Sequence, residues 1–534
     1  MLKNKYFSYL IIGVLMAGIF VLITNIQLVF QKNHNFHFDP AFYQYKNTIT
    51  YLHFKENGFI ETIGFILTHV RNNPLYHIVL LTIKPNLLSL PNGHLLLNFL
   101  IYSLFIFLVY EYTRFLGFTF FVRILIITMI IFLPGNFSHL HGIGSYYLDY
   151  PGGMLFSSSL ILLFIWSKKK KRHLLIISMF LLGLSILVKY MIIVYVVLFY
   201  CPVLAFFIYK NRIYSYKDFL FGLLAFLIVS SFSLIYHIPG FVKHYTEMAY
   251  ATNMGVLSSA KYFFIILMEF FTGIGLKILI GYFIILFAII RMRVYPFKEA
   301  IPYLYLLIAF PLFFIFVIQT AQARHSILFF VPTLIISIIS LVSLAEFSRI
   351  NVKLKKIFNG LFVLLFVFFS INYISLIHKR VKEFDEEKNT TELIANEIKT
   401  HYYDGFTWDS FVDENSLLIN LHVFYHHGIL PDFLGSKLFS IHKTYLLTNY
   451  REEDPYKIAE IAITTIDNLH DMVLVYENIE NEKLLLNNAN SNIIAQKVST
   501  HVSLSDNWIK HKVISSKKYG QIAVYFRNGK NALD

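Results

Sequence analysis

The chain has 534 residues, of which 56% are hydrophobic and only 15% charged, against roughly a quarter charged in ordinary soluble domains, so most of it has lipid rather than water as its solvent. The formal charge of +14 is uneven: 29 basic residues stand against 10 acidic ones through Ile377, and 17 against 22 from His378 onward. A basic excess confined to the apolar part marks loops facing anionic lipid, and the mildly acidic tail excludes a polyanion such as nucleic acid as partner. The single cysteine, Cys201, lies inside an apolar run, which excludes a disulfide framework and a thiolate metal site.

The first apolar stretch, Tyr6–Phe30, follows two lysines and carries no small-residue cleavage site, so it is expected to stay as a signal anchor. Further spans are expected at Gly93–Tyr112, Phe118–Pro134, Gly152–Trp166, Leu174–Val188, Tyr190–Tyr209, Phe219–Tyr236, Tyr262–Ile290, Ile301–Ile318, Ser326–Ala345 and Phe358–Ile377, eleven in all. With that number, Lys3 and Lys5, Arg114, Lys168 to Arg172, Lys210 to Lys217, Arg291 to Lys298, and Arg349 to Lys356 all fall on one side. Positive charge is retained in the cytoplasm, so the agreement supports the alternation and sends the C-terminal tail outside a plasma membrane, with the N-terminus inside.

The fold class expected is therefore an all-α polytopic membrane module over residues 1–377 followed by a soluble extracytoplasmic α/β domain over 378–534. Between the spans, Phe42–His53 and Gly58–Val70 have helical apolar spacing too short to cross, as for helices lying on the membrane surface within 31–92. In the tail, Thr391–His401 and Pro455–Leu469 read as helices. Asp471–Tyr476, Trp508–Ser515 and Gly520–Phe526 read as strands, the last two closing as a hairpin at Lys517–Gly520. No P-loop, GxGxxG or internal repeat occurs.

The outer loops collect polar residues: His34, His37 and Asp39; His139, His141 and Asp149; Lys243, His244 and Glu247. A carboxylate at a membrane face suits a general base for a hydroxyl or amine acceptor, and Asp39 is the first candidate. Followed by Pro40, Asp39 would equally cap a surface helix. Asp149, at the outer mouth of the fourth span, could orient an amine, a sugar hydroxyl or a cation, or act as a cap. The loop histidines admit a divalent cation, but no ligand spacing specifies one. Arg324 opens an outer helix end against the positive-inside bias, where its forked guanidinium suits a phosphate. Lys189, Lys84, Arg71 and Lys243 could serve likewise or merely snorkel.

These residues occur in an order that resembles the GT-C class of glycosyltransferases using polyprenyl-phosphate sugars, including the protein O-mannosyltransferases and the lipid A aminoarabinose transferases. Phe38-Asp39-Pro40 sits in the first outer loop, where the class keeps its catalytic Asp, with Pro following where the mannosyltransferases have Asp-Glu. Asn73-Pro74-Leu75-Tyr76 looks like its Pro-Pro-Leu-Tyr element, with Asn73 replacing the first proline. Leu148-Asp149-Tyr150-Pro151 looks like its second-loop Asp and Pro, and Arg324-His325-Ser326 with Pro332 is similar to its late Arg-Tyr…Pro segment.

The resemblance implies an inverting sugar transfer from a polyprenyl-phosphate donor to an extracytoplasmic glycan, lipid or protein acceptor. Asp39 would be the base, Asp149 its partner, and Arg324, Lys189 and Lys243 would hold the donor phosphate. His37, Tyr43, Asn73, Tyr76, His139, His141 and Tyr147 would line the cavity. No specific cofactor is implied, and a divalent cation could sit among the same loops. A flippase or transporter for lipid-linked saccharide, or a polymerase of another membrane class, is the alternative. A transporter would place ionisable residues at mid-membrane, where the apolar runs hold mainly Arg123, Glu269 and Lys277.

Overall fold

A computed structural model describes residues 39–70, 73–89, 93–137, 148–211, 217–231, 235, 255–271, 277, 280, 297–318, 323–346, 393, 394, 396, 397, 399–401, 408–411, 454–477, 489–516 and 520–529. The chain forms two compact units, one of Met1–Lys32, Asn47–Leu88 and Asn92–His378, the other of Asn33–Lys46, Ser89–Pro91 and Lys379–Asp534.

Among the described residues, five helices are long and apolar enough to cross a membrane: Gly93–Phe115, Asp149–Lys169, Ile192–Lys210, Glu299–Phe316 and Ile327–Leu344. Shorter apolar helices span Phe120–Ile131, Arg172–Val188 and Gly255–Phe271, and 217–231 is helical as well. Each lies on a stretch expected to span. The chain is thus a multi-pass membrane protein, while the expected Tyr6–Phe30 and Phe358–Ile377 spans lie outside the described residues. The seventh intervening stretch starts earlier than its apolar run: the helix begins at Gly255, whose φ of 73° glycine accepts freely, and takes in the polar turn before Tyr262.

The Asp149–Lys169 helix is the axis of this unit, with every residue from Asp149 to Ser167 buried. A helix apolar on all sides and surrounded by others has no lipid-facing stripe to define, which explains its weak amphipathic pattern. Small polar residues knit it to its neighbours. Ser157 Oγ lies 2.9 Å from Thr333 Oγ1 on the Ala323–Glu346 helix, and Ser159 Oγ lies 3.2 Å from Ser178 Oγ, which is itself 2.7 Å from the Tyr200 hydroxyl. Such bonds contribute about 0.6 kcal/mol each between membrane helices, where lipid supplies no hydrophobic drive for association.

Between Ile192–Tyr195 and Cys201–Asn211 the backbone widens to a π turn at Val196–Tyr200. Pro202 follows, and without an N–H it cannot bond the Leu198 carbonyl four residues back. The Tyr305 hydroxyl donates to that carbonyl at 2.5 Å. At the end of the unit where basic residues gather, Glu299 lies 3.4 Å from Lys168 and 3.7 Å from Lys210, and Arg172 meets Asp218 at 2.5 Å. Three of the loops expected on one side of the membrane are thus brought to one face.

The surface-helix region forms one element, Asp39–His69, kinked at Gly58 (φ 82°, ψ −175°). The two expected segments are therefore joined end to end across a glycine in a conformation other residues avoid.

Among the described residues of the second unit, a four-stranded sheet runs β1 (Trp408–Ser410), β2 (Met472–Tyr476), β4 (Gly520–Arg527) and β3 (Trp508–Ser516) in spatial order. β1 is parallel to β2, and the other pairings are antiparallel. The β3–β4 hairpin closes with Ser516 opposite Gly520, as read from the sequence. All five β2 residues are buried, as a strand covered on both faces requires. The Pro455–Leu469 helix, capped by Asp454 accepting from the Tyr456 N–H at 3.0 Å, packs Ile458, Ala459, Ala462 and Ile466 into the core. The Ala489–Leu504 helix and β1 were not legible, being respectively rich in Asn, Ser and Thr, and only three residues long.

Candidate active site

At the end of the membrane unit away from Glu299, the Leu148-Asp149-Tyr150-Pro151 segment starts the axial helix. Lys189 ends the Arg172–Val188 helix as its C-cap. Lys189 Nζ lies 2.9 Å from Asp149 Oδ1 and 2.8 Å from Oδ2, and the two side chains are only 12% and 7% exposed. Each charge complements its own helix: an acid at an N-terminus, a cation at a C-terminus. Two charges this far out of water persist because each neutralises the other, and removing either leaves an expensive orphan.

The Asn73-Pro74-Leu75-Tyr76 element lies beside this pair. Asn73 is buried and donates its N–H to the Val188 carbonyl at 3.2 Å, directly before Lys189. Its φ is 55°, with Pro74 following in the first turn of the Pro74–Ile83 helix. A proline has its φ fixed near −65° and cannot take that conformation, whereas Asn tolerates it better than most residues. The departure from a Pro-Pro pair at position 73 thus has a backbone cause. Tyr76 is fully buried and donates to Asn98 Oδ1, and His77 Nδ1 lies 2.7 Å from Thr50 Oγ1.

Tyr150 holds the other side. Its hydroxyl donates to Asn136 Oδ1 in the Pro134–Phe137 turn, and its ring meets Phe270 edge-on at 5.3 Å. The segment bearing Asp149 is therefore fixed from both flanks.

The Ala323–Glu346 helix runs parallel to the axial helix at close range. Ser157 meets Thr333, and one turn earlier a Cβ on Gly153 would sit 2.4 Å from the Phe329 carbonyl oxygen. Continuing this register by another turn brings the backbone of Arg324 and His325 to the level of Asp149.

The structure thus brings together Asp149, Lys189 and the Asn73 element, and aligns the helix start that carries Arg324 with them. Tyr43 and Asp39 lie in the first turns of the Asp39–His69 helix, which begins at Asp39 with Pro40 following. The side chains of Asp39, Tyr43 and Arg324 are beyond the description, and His37, His139, His141, Tyr147, Lys243 and Arg71 lie outside the described residues. Lys84 is exposed at the C-terminus of the Pro74–Ile83 helix. Asn98 and Asn136 escaped sequence reasoning. The available signal was an amide inside or beside an apolar run, which must find a partner there.

No protein-family profile and no curated protein matches the chain. Among solved structures, the crystal structure of ArnT from Cupriavidus metallidurans bound to undecaprenyl phosphate is similar with a TM-score of 0.59 at 12% identity, over 98% of this chain and 99% of that one. That likeness shows a shared fold, in keeping with the resemblance carried by the sequence motifs.

Proposed function

We propose that the protein is a membrane glycosyltransferase that takes a sugar from a polyprenyl-phosphate donor and passes it to an acceptor outside the cytoplasm, in the plasma membrane. The observation that carries this reading is the near full-length likeness to ArnT, whose structure holds undecaprenyl phosphate. The buried Asp149–Lys189 pair at the mouth of the axial helix supports it independently. The GT-C motif order in the sequence points the same way.

In this reading Asp39 accepts the proton of the acceptor hydroxyl or amine as that atom attacks the anomeric carbon. The bond from that carbon to the phosphate oxygen breaks, with inversion. The departing polyprenyl phosphate keeps the bonding electrons, and Arg324 balances its charge through two parallel hydrogen bonds. Asp149 holds the Lys189 ammonium in place, so the lysine contributes a fixed positive field to the phosphate side rather than a mobile ligand. Lys243 is a further cation for the same phosphate. Donor affinity comes largely from the lipid tail, at about 0.8 kcal/mol per buried CH₂, which accounts for a chain without a phosphate-cradling glycine loop.

The test is release of free polyprenyl phosphate from a panel of polyprenyl-phosphate sugars by protein in nanodiscs. Asp39→Asn should abolish release, and Arg324→Ala should weaken it by about 100-fold or more, as loss of one electrostatic transition-state contact does. Absence of release from every donor, with transbilayer movement of labelled lipid-linked sugar indifferent to Asp39→Asn, would replace this reading by the flippase.

A further inference from the structure

The second unit contains a side-chain cluster that the transferase reading does not use. Glu397 and His401 are both helical and four residues apart, hence one turn apart on one face. Glu397 Oε1 lies 3.3 Å from His401 Nε2 and 3.2 Å from His511 Nε2. A nitrogen or oxygen from each of the three residues falls within 4.8 Å of the others.

Two local features make this more than a chance meeting of surface groups. The β3–β4 ladder slips between Lys510 and Lys512, leaving His511 as the extra residue of a bulge. Consecutive strand residues ordinarily point to opposite faces. Here both His511 and Lys512 reach the same carboxylate, His511 at Oε1 and Lys512 at Oε2. Glu397 itself is 7% exposed, and Phe526 walls the cluster, with its ring 4.5 Å from His401 and 5.2 Å from His511.

We propose that Glu397, His401 and His511 form a zinc-binding site that fastens the helical residues Glu397 and His401 to strand β3. Two imidazoles and a carboxylate are a ligand set that imidazole-preferring Zn²⁺ takes and that Ca²⁺ and Mg²⁺ do not. Tetrahedral ligands at about 2.0–2.1 Å from zinc stand about 3.3–3.4 Å from one another, which matches the two Glu397-to-histidine separations. Lys512 occupies the oxygen that a one-oxygen carboxylate ligand leaves over, and so orients Glu397 from outside the coordination sphere. A water completes four-coordination on the exposed side of His511.

The experiment uses the full chain in detergent, purified through a tag without histidines and stripped with chelator. It is titrated with Zn²⁺ against a chromophoric competitor, and with Co²⁺ for the visible bands of a four-coordinate site. Wild type should bind one tight Zn²⁺. His401→Ala and His511→Ala should each weaken that binding by more than about 100-fold and remove the Co²⁺ bands. Lys512→Gln breaks the ion pair but keeps all three ligands, so its loss should stay within the about 10- to 100-fold typical of an outer partner. It also controls for simple loss of local structure. A wild-type chain without tight Zn²⁺, or equal Zn²⁺ binding by wild type and the His401→Ala, His511→Ala double variant, overturns the proposal.

Discussion

Lys189 places its ammonium between both carboxylate oxygens of Asp149, at 2.9 and 2.8 Å, where each side chain is almost fully removed from solvent. Breaking such a pair from one side is worse than removing it whole. Lys189→Met and Asp149→Asn should each destabilise the membrane unit by about 3–5 kcal/mol, seen as a lowered unfolding temperature in nanodiscs. The double variant should recover most of the loss. A loss in the double variant equal to the sum of the two single losses would show that the two charges are not coupled.

Close approach of the two parallel helices predicts a contrast between neighbouring glycines. A Cβ on Gly153 would meet the Phe329 carbonyl oxygen at 2.4 Å and its Cα at 2.9 Å, both backbone atoms. Gly153→Ala should therefore push the helices apart, at a cost of about 1–3 kcal/mol. At Gly152 the nearest atom, at 2.6 Å, is the Ile192 Cδ1, the end of a flexible side chain that can turn aside. Gly152→Ala should be the milder change in the same thermal assay.

The hydroxyl of Tyr305 donates to the carbonyl that Pro202 cannot bond. Tyr305→Phe removes only that donor. The expected loss is about 0.6–1.7 kcal/mol, the range of hydrogen bonds between membrane helices. Combining it with Pro202→Ala, which restores the helical N–H, should erase most of the difference between Tyr and Phe.

Burial pushes the His470 imidazole down to about 4, against a smaller upward pull from Asp471. Unfolded, it titrates near 6.5. The unfolded chain then binds the proton more readily, so the stability due to neutral His470 is fully present above about pH 6.5. It is lost as pH falls toward 4, by on the order of 3 kcal/mol in total. Acid unfolding followed by fluorescence should be flatter over this window in His470→Gln. Two of the three tryptophans, Trp408 and Trp508, lie in this unit's core and report on it.

The helices of the membrane unit were legible because an apolar run of about 20 residues can satisfy its backbone in lipid only as a helix. Gly93–Phe115 and Arg172–Val188 fall within a few residues of their expected limits for that reason. The tail hairpin was legible from alternation and its turn residues. The Ala489–Leu504 helix was hidden, because its buried positions Ile494, Ala495, Val498 and Val502 are interspersed with Asn, Ser and Thr that favour no element alone.

For the site, sequence by itself determined which polar residues stand at the ends of apolar runs. Asp149 and Lys189 both qualify, since charge is costly anywhere deeper. It could not pair them. Lys189 read as a phosphate ligand and Asp149 as a cap or orienting acid, because each was judged against its own helix. Tertiary structure alone decided that the end of one helix meets the start of another, with Asn73 in a left-handed turn beside them. The same holds for Glu397, His401 and His511: the one-turn spacing of the first two is visible in the chain, but His511 joins them only through a bulge in a strand about a hundred residues later. Side-chain partnerships of this kind depend on helix register and strand slippage, which pairwise packing fixes and local periodicity does not encode.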